Sequence, residues 1–529
     1  QTDNELNCHF NECYCPACLA GYRASLQRRY GTIEALNEAW GTDFWALRFD
    51  GFEQVPLPYV HGRPAFPNPT DVLDYYRFLG ESVREFQRQQ VEILHAANPR
   101  WFVTHNGMFT HVDYWAFAGD LDFLSVDIYP GFWVRAETDA ARTAEHLQRC
   151  RAATGGFIVP EQQAGPGGQR PYIHLTPPPG RMRLWAWQSV AHGADGVLHF
   201  RWRTCRFGAE EYWCGVLDHD NVPRRRYEEF AREGDELKRL GPKLLGTVQD
   251  VRAAVLVEDE QDEAHQTMSL SLPSPGDVRG ALFAELWKRH LPAGLVHTAD
   301  RFDGLRLLVL PSMPLMDEAL AGKLRQFVEG GGVLVVTARS ATRDRHNRVI
   351  PATPPGLLAE LCGVTVEEFG RLEPGTLSLR LDGADAPAAG GYEVLALRGA
   401  VAAATWALPD PAACGAPHAA AGQPAVAVHK VRAGVAIYVG TYADAANAAA
   451  LTDLALHYAA GLTPLADAPA GVEVTRRGGG GRRLTFVLNH YARPQTVRGL
   501  PAGNELLAGR PCRGTLELEP YGVAVVEES

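Results

Sequence analysis

The feature that most limits the fold is a recurrence of short apolar runs, at residues 101–104, 123–128, 157–159 and 197–200. Helical patterns near 136–152 and 181–192 separate the later runs. Buried strands joined through helices return in the same direction, so the recurrence predicts a parallel sheet. The flanking sequence agrees. Residues 20–40 read as helix, with Tyr22, Leu26, Ile33, Leu36 and Trp40 as apolar positions, broken at Gly31-Thr32, where Thr32 can cap a second helix. A Pro-rich loop spans 46–70. A long helix then covers 71–97, with Val72, Tyr75, Tyr76, Leu79, Val83, Phe86, Val91 and Leu94 as its stripe. A last helix runs over 223–240.

Polar residues stand just after the strands: Asn106, Asp127, Tyr129, Glu161, Arg201 and Arg203. A (β/α)8 barrel builds its site at the carboxyl ends of its strands. A doubly wound sheet does so too, so position alone leaves both open.

From about 250 the pattern changes. Strands at 251–257 and 305–310, a helix at 317–329 and a strand at 333–337 form a second, smaller α/β unit of the Rossmann or flavodoxin kind. Its glycines, Gly330 to Gly332, follow a helix and precede a strand. That order makes a C-cap and turn, whereas a phosphate loop needs strand, glycines, then helix. Residues 383–425 are rich in Ala, Gly and Pro and show little periodicity. A strand pair at 426–442, turning near Gly434, and a helix at 445–460 follow. Alternating runs at 472–475, 484–488, 515–519 and 523–526 predict a small antiparallel β domain, with Gly478 to Gly481 as a hairpin loop.

The net charge of −11 comes from interspersed acidic and basic residues, which argues against nucleic acid or a membrane surface as partner. No run reaches the ~20 apolar residues of a membrane span, and no signal peptide is visible. Cys150, Cys205, Cys214, Cys362, Cys414 and Cys512 are scattered, which suits a reducing compartment and a cytoplasmic location.

The first eighteen residues carry the chemistry. Asn4-Glu5 places an amide beside a carboxylate. Glu161 ends the strand that begins at Phe157. Two carboxylates about 5–5.5 Å apart across a barrel mouth are what retaining glycoside hydrolysis requires, with their environments pushing the two pKa values apart. The plainer reading is a salt bridge at each strand end. Trp45, Tyr129, Trp202, Tyr212 and Trp213 could stack on a sugar ring or simply pack, while Trp185 and Trp187 lie within a helix and read as packing. Cys8, Cys13, Cys15 and Cys18 fall in eleven residues. Thiolates at that density read as a structural zinc site with no open position. Cys13, Cys15 and Cys18 form the tight group; Cys8, or a residue elsewhere, supplies the fourth ligand.

These strings resemble the glycoside hydrolase family 42 β-galactosidases over essentially the whole chain. Asp3-Asn4-Glu5 is similar to the family's acid/base motif, Cys13, Cys15 and Cys18 to its zinc clasp, and Glu161-Gln162 to its nucleophile motif. Residues 30–42 (YGTIEALNEAWGT), Met182-Arg-Leu-Trp185, Ala191-His-Gly-Ala-Asp-Gly196 and Phe200-Arg-Trp-Arg203 are further family strings. The resemblance implies a catalytic TIM barrel over 1–245, a flavodoxin-like trimerisation domain over 246–465 and a β domain over 466–529. It implies a homotrimer with structural zinc and no organic cofactor. The acid/base is then Glu5, the nucleophile Glu161, and Asn4, Trp45 and Glu210 line the sugar site. It sets Glu5 at the end of the fourth barrel strand, so the chain is expected to hold a partial, N-terminally truncated barrel. Gln169 stands where many members have Trp, and Tyr212 near where many have a sugar-binding His. The expected activity is retaining hydrolysis of terminal β-D-galactose. The alternatives are an α-L-arabinopyranosidase, or an inactive remnant with an assembly role alone.

Overall fold

The computed structural model describes residues 1–8, 11–58, 67–107 and 110–529. Residues 59–66 of the expected Pro-rich loop lie outside the described residues.

Five extended segments lie side by side in chain order and set the geometry of the first region. The opening segment meets the second where the Thr2 amide donates to the Thr104 carbonyl (3.1 Å). The second meets the third where the Ser125 amide donates to His105 (3.0 Å) and the Asp122 amide to Val103 (3.1 Å). The third meets the strand Phe157–Gln163 through single parallel bridges, Ser125 to Ile158 and Ile128 to Gln162. Phe157–Gln163 in turn pairs in parallel with Ala194–Phe200. The expected strand at 101–104 therefore forms no continuous ladder. Its bonds alternate between backbone and side chains, with the Val103 amide donating to the Asp122 carboxylate (2.7 Å) and the Thr104 hydroxyl to the Phe123 carbonyl (2.8 Å).

Helices pack outside this arc. Pro16–Tyr30 and Ile33–Trp40 are separated at Gly31, and the Thr32 hydroxyl caps the second by accepting from the Ala35 amide. Pro69–Ala97 starts with Pro at its first turn and Asn68 as its cap, where a missing N–H costs nothing. Val72, Tyr75, Tyr76, Leu79 and Val91 are buried as expected, but Phe86 is 47% exposed. The buried position in that turn is Gln87, whose Oε1 accepts from the Thr2 hydroxyl (2.7 Å). Polar pairing with the first segment, not apolar packing, orients this half of the helix.

Arg181–Ala191 is buried along nearly its whole length because it is wedged between the arc and the C-terminal sheet. Trp187 packs with Phe486, Leu488 and Val525, and its indole N–H donates to Glu236 (3.1 Å). The packing role read for Trp185 and Trp187 holds. At the end of this helix Glu473, fully buried, meets His192, His490 (3.0 Å) and Gln188 (2.9 Å).

The second region carries a nine-stranded sheet. Its parallel part runs Ala293–His297, Ala253–Val257, Leu307–Leu310, Val333–Thr337, Gly434–Val439. In chain order that is 2-1-3-4-5, the flavodoxin arrangement. Gly330 closes the helix Glu318–Glu329 before Val333–Thr337, so the glycines act as cap and turn. The stretch that showed little periodicity holds three strands, Ala384–Pro387, Ala389–Leu397 and Val401–Ala407, which extend or flank the sheet antiparallel, and the expected strand pair is Pro424–Val431 with Gly434–Val439. The third region is a six-stranded antiparallel sheet, five strands from Val472–Glu528 and Val248–Gln249 as the sixth at one edge. Among the described residues no helix is long and apolar enough to cross a membrane.

Candidate active site

The loop bearing Glu5 is held from both sides by one imidazole. His105, fully buried, has Nδ1 2.6 Å from the Thr2 carbonyl, and its Nε2 accepts from the Leu6 amide (3.3 Å). Nδ1 therefore carries the proton and the ring is neutral, a state that burial also favours by lowering its pKa. Between these anchors Asp3, Glu5 and Asn7 adopt positive φ (52°, 44° and 63°). Left-handed backbone costs a non-glycine residue roughly 1–2 kcal/mol each, so this conformation depends on its supports. The Cys8 amide donates to the Glu5 carbonyl (3.1 Å) and closes the turn.

Glu161 stands near the end of Phe157–Gln163, its carbonyl accepting from the Ile128 amide (2.9 Å). Glu5, Glu161 and Asp127 each present a carboxylate oxygen within 4.8 Å of the other two. The Tyr129 hydroxyl donates to Glu161 Oε2 (2.6 Å). Burial raises the Glu161 pKa, the Tyr129 bond lowers it, Glu5 and Glu210 raise it, and Arg201 lowers it; the net shift is upward. Arg201 is paired with Glu210.

Asn106 connects the acid cluster to the loop. Its Nδ2 donates to Asp127 Oδ2 (2.6 Å) and to Asn4 Oδ1 (3.1 Å), and its Oδ1 accepts from the Glu5 amide (3.3 Å) and from Gln1 Nε2 (2.7 Å). Asn4 Oδ1 is thus occupied, which leaves its Nδ2 as the donor it can offer a ligand.

Aromatic rings wall the Glu161 side. Tyr129 lies edge-on to Trp213 (5.3 Å), Phe200 (6.3 Å) and Phe132 (6.4 Å). Of the rings considered for stacking, Tyr129 and Trp213 are buried, whereas Trp202, Tyr212 and Trp45 are exposed. Trp45 sits on the turn Phe44–Ala46 with its ring 4.7 Å from that of Phe44. Gln169 lies in a short hairpin and donates to the Tyr172 hydroxyl (3.1 Å).

The structure thus gathers Asn4, Glu5, Glu161 and Glu210 around one acid cluster. Asn106, Asp127, Tyr129 and Arg201 join them. All four are visible in the sequence as polar residues after strands, the one signal that marks them.

The cysteines divide. Cys13, Cys15 and Cys18 have sulfurs within 4.8 Å of one another. The Tyr75 hydroxyl fixes the first by accepting from the Cys13 amide (3.2 Å) and donating to its carbonyl (2.8 Å). Cys15 caps the helix Pro16–Tyr30, its sulfur accepting from the Cys18 amide (3.4 Å). Cys8 does not join the group. Burial, Glu5 and Asp127 together raise its thiol pKa, which sets it on the carboxylate side of the turn. Among the described residues the sulfur group is Cys13, Cys15 and Cys18 alone, and the fourth ligand stays open between Cys8 and a residue elsewhere.

Known proteins share this architecture. Family models described as β-galactosidase, β-galactosidase trimerisation domain and β-galactosidase C-terminal domain match residues 1–240, 252–462 and 471–528. A β-galactosidase of Heyndrickxia coagulans is 31% identical, over 99% of this chain and 77% of its own length. One from Thermus thermophilus is 38% identical over 72% of this chain and 60% of its own. The structure of the β-galactosidase from Bacillus circulans sp. alkalophilus superimposes with a TM-score of 0.90 at 27% identity, covering 98% of this chain and 77% of that one. That of Halorubrum lacusprofundi gives 0.87 at 30% identity, covering 99% and 78%. For the first region these neighbours imply a TIM barrel, with additional domains, in place of a doubly wound sheet. The chain belongs to the glycoside hydrolase family 42 β-galactosidases.

Proposed function

We propose that the protein is a retaining β-galactosidase that removes terminal non-reducing β-D-galactose by double displacement. The observation that carries this reading is the approach of Glu5 and Glu161 to within 4.8 Å, oxygen to oxygen. Inverting pairs stand about 6.5–9.5 Å apart to admit a water, and retaining pairs about 5–5.5 Å. Glu161 attacks the anomeric carbon as a carboxylate, and Tyr129 holds its second oxygen. Glu5 delivers its proton to the glycosidic oxygen as that bond breaks, then takes a proton from the water that releases the sugar. Asn4 Nδ2 donates to the sugar 2-hydroxyl, a contact that strengthens in the transition state. Arg201 and Glu210 frame the site on the Glu161 side, and the exposed Trp45 is the ring assigned to the sugar by the family resemblance. The relatives named above are all described as β-galactosidases, which favours galactose over the arabinopyranoside.

The staves at residues 1–4, 102–106, 123–128, 157–163 and 194–200 supply the fourth to eighth strand positions of the barrel. Residues 1–245, 246–465 and 466–529 form the catalytic, trimerisation and C-terminal units. A homotrimer is supported by the match of 252–462 to a trimerisation domain. The free cysteines favour a reducing, cytoplasmic setting. Structural zinc fits Cys13, Cys15 and Cys18. A tetrahedral zinc with Zn–S of about 2.3 Å places its sulfurs about 3.8 Å apart, and these three are already gathered within 4.8 Å. The zinc would tie the loop after Glu5 to the start of Pro16–Tyr30 and do no chemistry.

Proton NMR during hydrolysis of 4-nitrophenyl β-D-galactoside tests the reading. β-Galactose as the first product supports retention; α-galactose, or no turnover of any β-galactoside, refutes it.

A further inference from the structure

The acid cluster holds a carboxyl that the double displacement does not use. Asp127 has a carboxylate oxygen within 4.8 Å of both Glu5 and Glu161. Its two oxygens have different surroundings. Oδ2 accepts from Asn106 Nδ2 at 2.6 Å. Oδ1 is closed off from solvent and has no N–H or O–H donor in reach among the described residues. An ionised oxygen in that position would be buried without a hydrogen bond and would face two further carboxylates, the least favourable state such a group can have. A proton on Oδ1 removes the charge and supplies a donor. The Asn106 amide fixes which oxygen stays an acceptor, so the proton has one place to sit.

We propose that Asp127 is a positioning residue for the acid/base: a third carboxyl that stays protonated through the cycle and donates a hydrogen bond to Glu5. The proposal rests on the reading of Glu5 and Glu161 as acid/base and nucleophile. Before reaction the cluster holds two protons, on Glu5 and Asp127, with Glu161 ionised. In the first step the Glu5 proton goes to the glycosidic oxygen, whose bond to the anomeric carbon breaks with its electron pair. One Glu161 oxygen forms the new bond to that carbon. Glu5 is then a carboxylate, and the Asp127 O–H stabilises it. Water later gives a proton back to Glu5 as the Glu161 ester breaks, and the count returns to two. Asp127 never transfers its own proton.

The titratable groups that face Asp127 agree with a neutral state. Glu5 and Glu161 lie against it, the Tyr129 and Tyr114 phenols and the Cys8 and Cys150 thiols are in its field, and Asn106 is its polar contact. Arg201, the cation beside Glu161, is engaged by Glu210. Burial first, then the charges of Glu161 and Glu5, push the Asp127 carboxyl up to about 9.

Two variants test this. In Asp127→Asn the amide oxygen takes the Asn106 bond and Nδ2 replaces the protonated oxygen, so the donor survives without a titrating group. Asp127→Val removes the donor. Each is assayed on methyl β-D-galactoside, whose leaving group needs a proton, and on 2,4-dinitrophenyl β-D-galactoside, whose leaving group does not. The Asn variant should keep kcat/KM on the methyl glycoside within about threefold of wild type below pH 8 and decline less steeply above it. The Val variant should lose about 10- to 100-fold on the methyl glycoside, the range of one hydrogen bond to a charged group, and far less on the dinitrophenyl one. An Asn variant reduced as far as the Val variant overturns the proposal, because it means the Asp127 charge is needed. Equal losses on both substrates in a folded Val variant also overturn it. If the Val variant does not fold, the Asn variant decides alone. A wild-type protein that hydrolyses neither substrate overturns the functional reading itself, an outcome distinct from these.

Discussion

Replacing Tyr129 by Phe removes one hydrogen and leaves the ring. The Tyr129 hydroxyl donates to Glu161 Oε2 at 2.6 Å, and the ring is buried against Trp213, Phe200 and Phe132. The packing should survive, and the bond alone is lost. A hydrogen bond to an ionised group is worth about 1.5–3 kcal/mol. The Glu161 site is part open, so the lower half of that range applies, about 1.5–2 kcal/mol or roughly 10- to 30-fold in rate. The effect falls on one step. When the glycosyl-enzyme breaks down, Glu161 departs as a carboxylate and Tyr129 receives its returning charge. When the intermediate forms, Glu161 gives up charge, and losing the donor makes it the stronger nucleophile. Deglycosylation should therefore slow by about 10- to 30-fold and glycosylation little. With the dinitrophenyl galactoside, stopped-flow absorbance should show a burst of one phenolate per site, then a slow steady state. The pH profile has a defined sign. Burial raises the Glu161 pKa and Tyr129 opposes it. Without Tyr129 the carboxyl ionises only at higher pH, so the acid limb of kcat/KM moves up. A variant with unchanged kcat, no burst and an unmoved acid limb would refute the role given to this bond.

His105→Ala leaves the Thr2 carbonyl and the Leu6 amide without their shared partner. With about 1–3 kcal/mol at stake for each buried orphan, kcat on the methyl galactoside should fall at least about tenfold while KM moves little; steady-state kinetics checks both. Cys13→Ser should release most of the zinc found by elemental analysis of the wild type and lower the thermal midpoint, and a wild-type protein without zinc would remove the clasp from the account. Burial opposes the charge of Glu473, yet His192 and His490 outweigh it and hold the carboxyl at about 2. A pKa below the ordinary carboxylate range gives stability that is complete above about pH 4.5 and is lost as pH falls towards about 2. Glu473→Gln should therefore lower the melting temperature by several degrees at pH 7 and flatten its decline on the acid side, as read by differential scanning calorimetry.

The parts of this molecule that show plainly in the sequence are those where apolar spacing carries the fold. The helix Pro69–Ala97, the strand ending at Glu161 and the switch to a second α/β unit near 250 are of that kind. The region after 383 is hidden for a physical reason. Its strands are built from Ala and Gly, which do not mark an inner and an outer face. The pairing of Val401–Ala407 with Pro424–Val431 slips at Ala402 and Ala404, so no strict period of two survives. Gln495–Glu505 is absent from the expected runs, because Gly499 at φ 71° and Pro501 break its alternation where the ladder has an irregularity inside one long strand. The segment at 101–104 shows as an apolar run, but the sequence does not show that its pairing runs partly through the Asp122 and Thr104 side chains and so forms no regular ladder. At the site, spacing marks Glu5 and Glu161 as strand-end carboxylates. It cannot mark Asp127 as their neighbour, because that contact arises only when the third stave lies beside the fourth.

In the double displacement Glu161 forms a covalent bond to galactose beside Glu5. Incubation with 2,4-dinitrophenyl 2-deoxy-2-fluoro-β-D-galactoside, followed by peptide mass mapping, tests it most directly. The fluorine slows both steps, and the good leaving group lets the first proceed. One fluorogalactosyl group per chain, on the peptide containing Glu161, with loss of activity to match, is the expected result. A label on Glu5 or Asp127, or inactivation without any covalent label, would contradict the account.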